Sequence, residues 1–255
     1  MSSPLKVWLE RDGRLLRLRL DRPKANILDA ALVGAIENAI RQHGTVAELR
    51  GILIDSAGGH FSFGASIEEH LPDQCATMLA SFHRVILQIF ASPVPVLVAV
   101  RGQCLGGGLE LATAGHLLFV GRDAKFGQPE IQIGVFAPAA SCLLPERIGL
   151  AVAEDLLLSG RSIDAEEALR IGLVTEVADD PEAAALGYFD RHLAPKSANS
   201  LRFAVRAARH GTTERISAKL AAIERIYLEE LMVTQDATEG LSAFIEKRPA
   251  RWKDR

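Results

Sequence analysis

The sequence predicts an α/β fold, and three features carry that reading. Strand-like and helix-like segments alternate through the first part of the chain. The run Val96–Val100 is wholly apolar, as suits a strand covered on both faces. Beyond about Ser159 the residues are nearly all helix-forming. Such alternation calls for parallel strands joined by helical crossovers, here followed by a helical C-terminal section.

The first element lies within Leu15–Leu20, where leucine alternates with arginine, the period-two signature of a strand with one buried face. Arg22-Pro23-Lys24-Ala25-Asn26 breaks the pattern, and Asp29 stands where an N-cap starts a helix through Leu32, Ile36 and Ile40. Ile52, Leu53 and Ile54 form a short buried strand closed by Asp55 and the Gly58-Gly59 pair. Met78, Phe82, Val85 and Ile89 recur at helical spacing up to the breakers Pro93 and Pro95. The strand Val96–Val100 then leads through residues 102–108, the densest glycine cluster of the chain, into a helical stretch at 109–114. Further helices are expected at 165–171 and 214–233. No repeat or Pro/Gly/Ser-rich linker marks a boundary, and the division is placed at residue 195, giving a core of 1–195 and a helical region of 196–255.

Composition excludes several classes of function. With 48% hydrophobic and 24% charged residues the chain folds rather than staying disordered. A net charge of -3 supplies no general attraction to nucleic acid or an anionic membrane, although a local basic patch can still hold a phosphorylated cofactor. Met1 to Asp12 lacks the basic-then-apolar order of a signal peptide, and no stretch approaches the roughly 18 uninterrupted apolar residues of a membrane span. A cytoplasmic location is expected. Cys75, Cys104 and Cys142 lie far apart with no C-x-x-C pair, which predicts reduced, mostly buried thiols and no metal site. The seven histidines are scattered and receive no role.

The chemistry concentrates in Gly102-Gln103-Cys104-Leu105-Gly106-Gly107-Gly108-Leu109-Glu110, where a buried strand turns into a helix. A backbone without Cβ atoms can bring amide N–H groups against a ligand, and at a helix N-terminus those free donors favour developing negative charge. Tight packing of helix on strand is the bland alternative. Neither G-x-G-x-x-G nor the P-loop pattern is present, which disfavours nicotinamide and ATP chemistry. A second donor loop, His60-Phe61-Ser62-Phe63-Gly64-Ala65-Ser66, can aim the Ala65 amide into the same pocket; its near-match to G-x-S-x-G makes Ser62 a nucleophile candidate, which is not adopted. Glu110 sits among Leu, Ala and Gly without a basic neighbour, a setting that raises a buried carboxyl towards values useful for proton transfer. Glu130, between Pro129 and Ile131, is its possible partner. Each glutamate alone is more often a surface residue, but two carboxylates converging on one water can take one proton and give another, as adding water to an activated double bond requires.

On these residues the chain resembles the crotonase (enoyl-CoA hydratase/isomerase) superfamily over essentially its whole length. Leu20-Asp21-Arg22-Pro23-Lys24-Ala25-Asn26 is similar to its first CoA-binding loop, Phe61–Ala65 and Gly102–Glu110 to its two oxyanion-hole segments, and Gln128-Pro129-Glu130 to its second catalytic carboxylate. Residues 237–240 and 244–248 match its C-terminal signature. The resemblance implies a ClpP-like spiral of ββα units with a helical C-terminal trimerisation region, assembled as a homo-trimer or homo-hexamer. It implies an acyl-CoA thioester as substrate, Glu110 and Glu130 as catalytic residues, the Ala65 and Gly107 amides as the oxyanion hole, and Lys24, Ala25, Phe63, Phe244 and Lys247 as CoA contacts. Coenzyme A enters as part of the substrate; no other cofactor, no metal, no nucleic acid and no membrane partner is expected. Retention of both glutamates points to hydration. Ser66 in place of the usual Asp, and Val135–Cys142 in place of a Pro-Gly-Ala-Gly-Gly stretch, imply a remodelled acyl pocket, similar to members that hydrate a cyclic dienoyl thioester. A general short- or medium-chain hydratase and an RNA-binding or scaffold relative are the rival readings; acidic charge and the intact glutamate pair count against the latter.

Overall fold

Alternate residues buried on both sides of one sheet organise the chain, which a computed structural model describes at residues 3–23 and 25–255. The strands are β1 (Leu5–Glu10), β2 (Leu15–Leu20), β3 (Gly51–Ser56), β4 (Val96–Val100), β5 (Gln103–Leu105), β6 (Leu117–Gly121), β7 (Lys125–Gly127), β8 (Ser162–Asp164) and β9 (Glu176–Ala178). The larger sheet runs β1-β2-β3-β4-β6-β9 and the smaller β5-β7-β8. Among the described residues of the larger sheet only the β1–β2 pair is antiparallel; β2, β3, β4, β6 and β9 run parallel. The crossovers are α1 (Ala30–His43), α2 (Pro72–Phe90) and α3 (Gly107–Ala114), followed by α4 (Pro138–Ile148), α5 (Leu150–Ser159), α6 (Ala165–Arg170) and α7 (Pro181–Tyr188). Twice the chain places one strand in the large sheet, the next in the small sheet, and then a helix: β4-β5-α3 and β6-β7-α4.

Local chemistry explains the boundaries. Asp29 caps α1 as its sequence position predicts, its side chain accepting from the Leu32 amide at 3.0 Å. Pro72 opens α2, where a missing N–H costs nothing. On one face of the large sheet, Leu16, Leu18, Ile52, Val96 and Val98 join the main core with α1 and α2; on the other, Leu15, Leu53, Leu97 and Phe119 pack against Ala185 and Phe189. That second layer explains why Val96–Val100 has no polar residue.

The second layer also corrects the expectation that β2 has one buried face. Arg17 is only 2% exposed, and its guanidinium pairs with Asp55 on β3, with Glu10 at 3.1 Å and with Glu182 of α7 at 2.7 Å. Arg19 pairs with the same Asp55 at 2.7 Å, and Trp8 stacks on both arginines. The arginines mark a face covered by α7, not one open to water. The stretch beyond Ser159 is likewise not all helical: β8 and β9 add a strand to each sheet. After the short π turn at 189–193 come α8 (Ala198–Ala208), α9 (Thr212–Arg225), a second π turn at 226–231, and α10 (Gln235–Ile245). Among the described residues no helix is long and apolar enough to cross a membrane, and the three cysteines are free and buried.

Removing one member of a buried ion cluster strands the others. Asp55→Ala, which removes the buried anion shared by Arg17 and Arg19 and leaves them only the more exposed Glu182 in common, is expected to cost about 3 kcal/mol. Arg17→Met fills similar space and leaves Asp55 paired with Arg19, so its loss should be smaller. Urea unfolding followed by circular dichroism ranks the two variants.

Candidate active site

Main-chain pairing brings the two glycine loops together. The loop after β3 is tied to β5 by Leu105 N–H donating to the Ser62 carbonyl at 3.0 Å and by Phe61 N–H donating to the Gln103 carbonyl at 3.0 Å. Gly106 N–H donates to the Gly127 carbonyl of β7 at 2.9 Å, which anchors the segment leading to Glu130. As a result the Ala65 nitrogen lies 3.0 Å from where a Cβ on Gly107 would stand. Gly107 is the first residue of α3, so its N–H is one of the donors a helix leaves free. Among the described residues, neither the Ala65 nor the Gly107 N–H has a protein acceptor. Two neighbouring unspent amides are what a developing oxyanion needs.

The three consecutive glycines do different things. Gly106 has φ +51°, and a Cβ there would stand 2.6 Å from Glu130 Oε1, so side-chain-free backbone makes room for the carboxyl. Gly107 faces Ala65. Gly108 is the packing glycine: its Cβ would come within 2.8 Å of Ser62 Cβ. The helix therefore begins at Gly107, two residues before the expected start, because β5 occupies 103–105.

Glu110 projects from the first turn of α3 and is 4% exposed. Its Oε1 accepts from the Ala140 amide at 2.8 Å, inside the first turn of α4, whose own N-cap residue Ala137 has no side chain able to cap. Burial pushes the Glu110 carboxyl up to about 7, against the opposing pull of the Ala140 and Ala139 amides. Glu130 sits on a 3-10 turn at 129–133. Burial and then the charge of Glu110 push it up to about 8. With its amide nitrogen turned towards Glu130, the buried Gln128 donates to both carboxyl oxygens, at 3.1 and 3.0 Å.

Ala65, Gly107, Glu110 and Glu130 border one cavity of about 60 Å³, walled by apolar side chains including Met78, Leu79, Phe82, Ile133, Val135 and Phe136. His70 lines it too. Sequence reasoning missed this residue, whose only signal was its place five positions after Ala65. Ser62 is not a nucleophile in this setting: its hydroxyl is fully buried, donates to the Asn26 carbonyl at 2.7 Å and accepts from Gly64 N–H at 3.1 Å. His60, the nearest candidate base in sequence, uses Nδ1 to accept from Gln103 N–H at 3.1 Å. A second cavity, of about 840 Å³, opens next to the first and also touches Ala65; Ala25, Phe63, Phe244 and Lys247 all border it. The remaining expected contact, Lys24, lies outside the described residues.

A sequence model of the family described as enoyl-CoA hydratase/isomerase matches residues 10–255. The chain belongs to this family. It is 65% identical to cyclohexa-1,5-dienecarbonyl-CoA hydratase of Thauera aromatica over 254 residues, which are 100% of this chain and 98% of the relative. It is 32% identical to carnitinyl-CoA dehydratase of Proteus mirabilis, covering 95% of this chain and 96% of that one. Among solved structures, an enoyl-CoA hydratase from Mycobacterium avium superposes with a TM-score of 0.87 at 26% identity, covering 99% and 100% of the two chains. An enoyl-CoA hydratase/isomerase from Pseudoalteromonas atlantica T6c gives 0.85 at 28% identity, covering 98% and 99%. The crotonase spiral that the sequence resemblance implied is the fold of this hydratase family member.

The raised carboxyls set a pH dependence. A carboxyl whose value is raised by folding holds its proton more tightly folded than unfolded, so stability falls as pH climbs from the unfolded carboxylate range through the folded values of about 7 and about 8. Relative to wild type, Glu130→Gln is therefore expected to gain thermal stability progressively between pH 5 and 8. Melting curves across that range check the sign; a variant that lost stability with rising pH as steeply as wild type would contradict it.

Proposed function

We propose that this enzyme adds water to cyclohexa-1,5-diene-1-carbonyl-CoA to give 6-hydroxycyclohex-1-ene-1-carbonyl-CoA, a step of anaerobic benzoyl-CoA degradation. The observation that carries this reading is end-to-end identity of 65% to a hydratase named for that substrate, twice the 32% shared with a family member of another specificity.

The thioester oxygen lies between the Ala65 and Gly107 amides, and the pantetheine and nucleotide follow the neighbouring groove past Ala25, Phe63, Phe244 and Lys247; Lys24, adjacent to Ala25 in sequence, completes the expected contacts. As water attacks ring carbon C2, negative charge spreads from the carbonyl over C1 and C5, and the two amides take the oxygen's share of it. A proton then joins C5, the double bond settles between C1 and C6, and renumbering gives the 6-hydroxy product. Of the glutamate pair, one carboxylate receives the proton that water loses and the other carboxyl supplies the proton for C5. Mutual repulsion in a dry cavity favours one shared proton at neutral pH, the state this division of labour requires. The reading includes a trimer or hexamer built through the helical region 196–255, a cytoplasmic location, and no metal or cofactor beyond the coenzyme A of the substrate.

Initial rates with cyclohexa-1,5-diene-1-carbonyl-CoA beside crotonyl-CoA test class and substrate together. Wild type should prefer the cyclic diene, and Glu110→Gln and Glu130→Gln should each lose at least about 100-fold in kcat. Preference for crotonyl-CoA would move the enzyme to the general enoyl-CoA hydratases, and activity surviving both changes would sink the two-carboxylate mechanism.

A further inference from the structure

The inner cavity presents few polar side chains. Its lining consists of glycines, apolar side chains and three titratable ones: Glu110, Glu130 and His70. His70 ends a 3-10 turn at 68–70 that follows the Ala65 donor, and the ring is held by a 2.7 Å hydrogen bond between Nδ1 and the Ser66 carbonyl. A carbonyl only accepts, so Nδ1 carries the proton and Nε2 is left as a lone-pair acceptor. Burial lowers the imidazole's proton affinity, which keeps Nε2 unprotonated at neutral pH.

The reaction proposed above creates a demand for such an acceptor. In an ordinary conjugate addition the proton and the hydroxyl go to adjacent carbons, and one water held between two carboxyls serves both. In the 1,4-addition C2 and C5 stand across the ring from each other. One glutamate must then address the far carbon, and the attacking water keeps only the other glutamate as a partner. Its second O–H needs an acceptor elsewhere in a pocket that is otherwise apolar, since an unpaired polar group there is costly.

On the strength of that substrate reading, we propose that His70 Nε2 is the specificity-determining acceptor that holds the second O–H of the attacking water and then the hydroxyl of the product. No bond to His70 forms or breaks. The water gives one proton to a glutamate, its oxygen bonds C2, and the other glutamate's proton goes to C5, while the O–H directed at His70 stays intact.

His70→Met, which puts an apolar side chain of similar reach in place of the imidazole, and His70→Gln, whose amide oxygen can stand near the position of Nε2, test the role against wild type on the cyclic diene and on crotonyl-CoA. The expected result is a fall in kcat/KM of about tenfold or more for His70→Met on the diene, little change on crotonyl-CoA, and substantial recovery in His70→Gln. Melting temperature is followed in parallel, because loss of the Ser66 anchor alone would depress stability and both substrates together. A wild type selective for the diene whose His70→Met variant loses nothing, or loses equally on both substrates, overturns the role of His70 alone. A wild type that hydrates only crotonyl-CoA overturns the substrate reading, and the role of His70 with it.

Discussion

Two carboxyl groups kept together in a nearly dry space are the constraint around which the rest of this molecule is arranged. Such a pair is unfavourable by itself: each group loses solvation, and each opposes ionisation of the other. The fold offsets the cost locally. Glu110 points into the first turn of α4, where free amides and the helix dipole favour its charge. Glu130 is met by the Gln128 amide and by the bare backbone of Gly106. The proposed chemistry and the architecture share these contacts, because the N-cap residue of α4 has no capping side chain and the helix takes its side-chain acceptor from Glu110 of α3.

The parallel sheet explains why the parts of the site, distant in sequence, converge. In a parallel sheet every strand delivers its following loop to the same edge, which is where ligands bind in open α/β folds. The Ala65 loop follows β3, the glycine segment follows β4, and the turn carrying Glu130 is reached from β6 through β7. The small sheet β5-β7-β8 then locks those loops together: β5 and β7 run parallel side by side, so the strand before Gly106 and the strand before Gln128 advance in register. The distance between Gly106 and Glu130 is thereby set by main-chain hydrogen bonds, not by flexible side chains. The sheet's far side needs its own support, and the Arg17–Asp55–Arg19 cluster under α7 supplies it without adding polar groups to the edge that carries the cavity.

Much of this was legible in the sequence, for identifiable reasons. Asp29, Val96–Val100, the glycine cluster and both glutamates are local signals: a cap, an uninterrupted apolar run, missing Cβ atoms, and charge among apolar neighbours. What was not legible depends on partners far along the chain. β8 and β9 are three residues each and exist as strands only because β7 and β6 offer edges to pair with. Arg17 reads as an exposed residue of an amphipathic strand until α7, some 165 positions later, covers it with Glu182. His70 carries no motif; its meaning comes from a turn that brings it beside α2 and into the cavity.

Burial also links substrate binding to protonation. The cavity of about 60 Å³ has room for a few water molecules, which would be the remaining solvation of Glu110 and Glu130 before a substrate arrives. An apolar acyl group that displaces them makes the surroundings still less polar, which raises the proton affinity of the pair further. A filled pocket thus holds the pair's protons more firmly than an empty one, while the Ala140 amide keeps Glu110 the more readily ionised of the two. In the proposed reaction the Ala65 and Gly107 amides act in the opposite sense, favouring negative charge on the thioester oxygen where it develops. For the proposed reaction, a pocket walled by apolar side chains with amide donors at one end and a carboxyl pair at the other favours charge movement from water through the acyl group to the carbonyl, and the walls that exclude water are as much a part of that arrangement as the two glutamates.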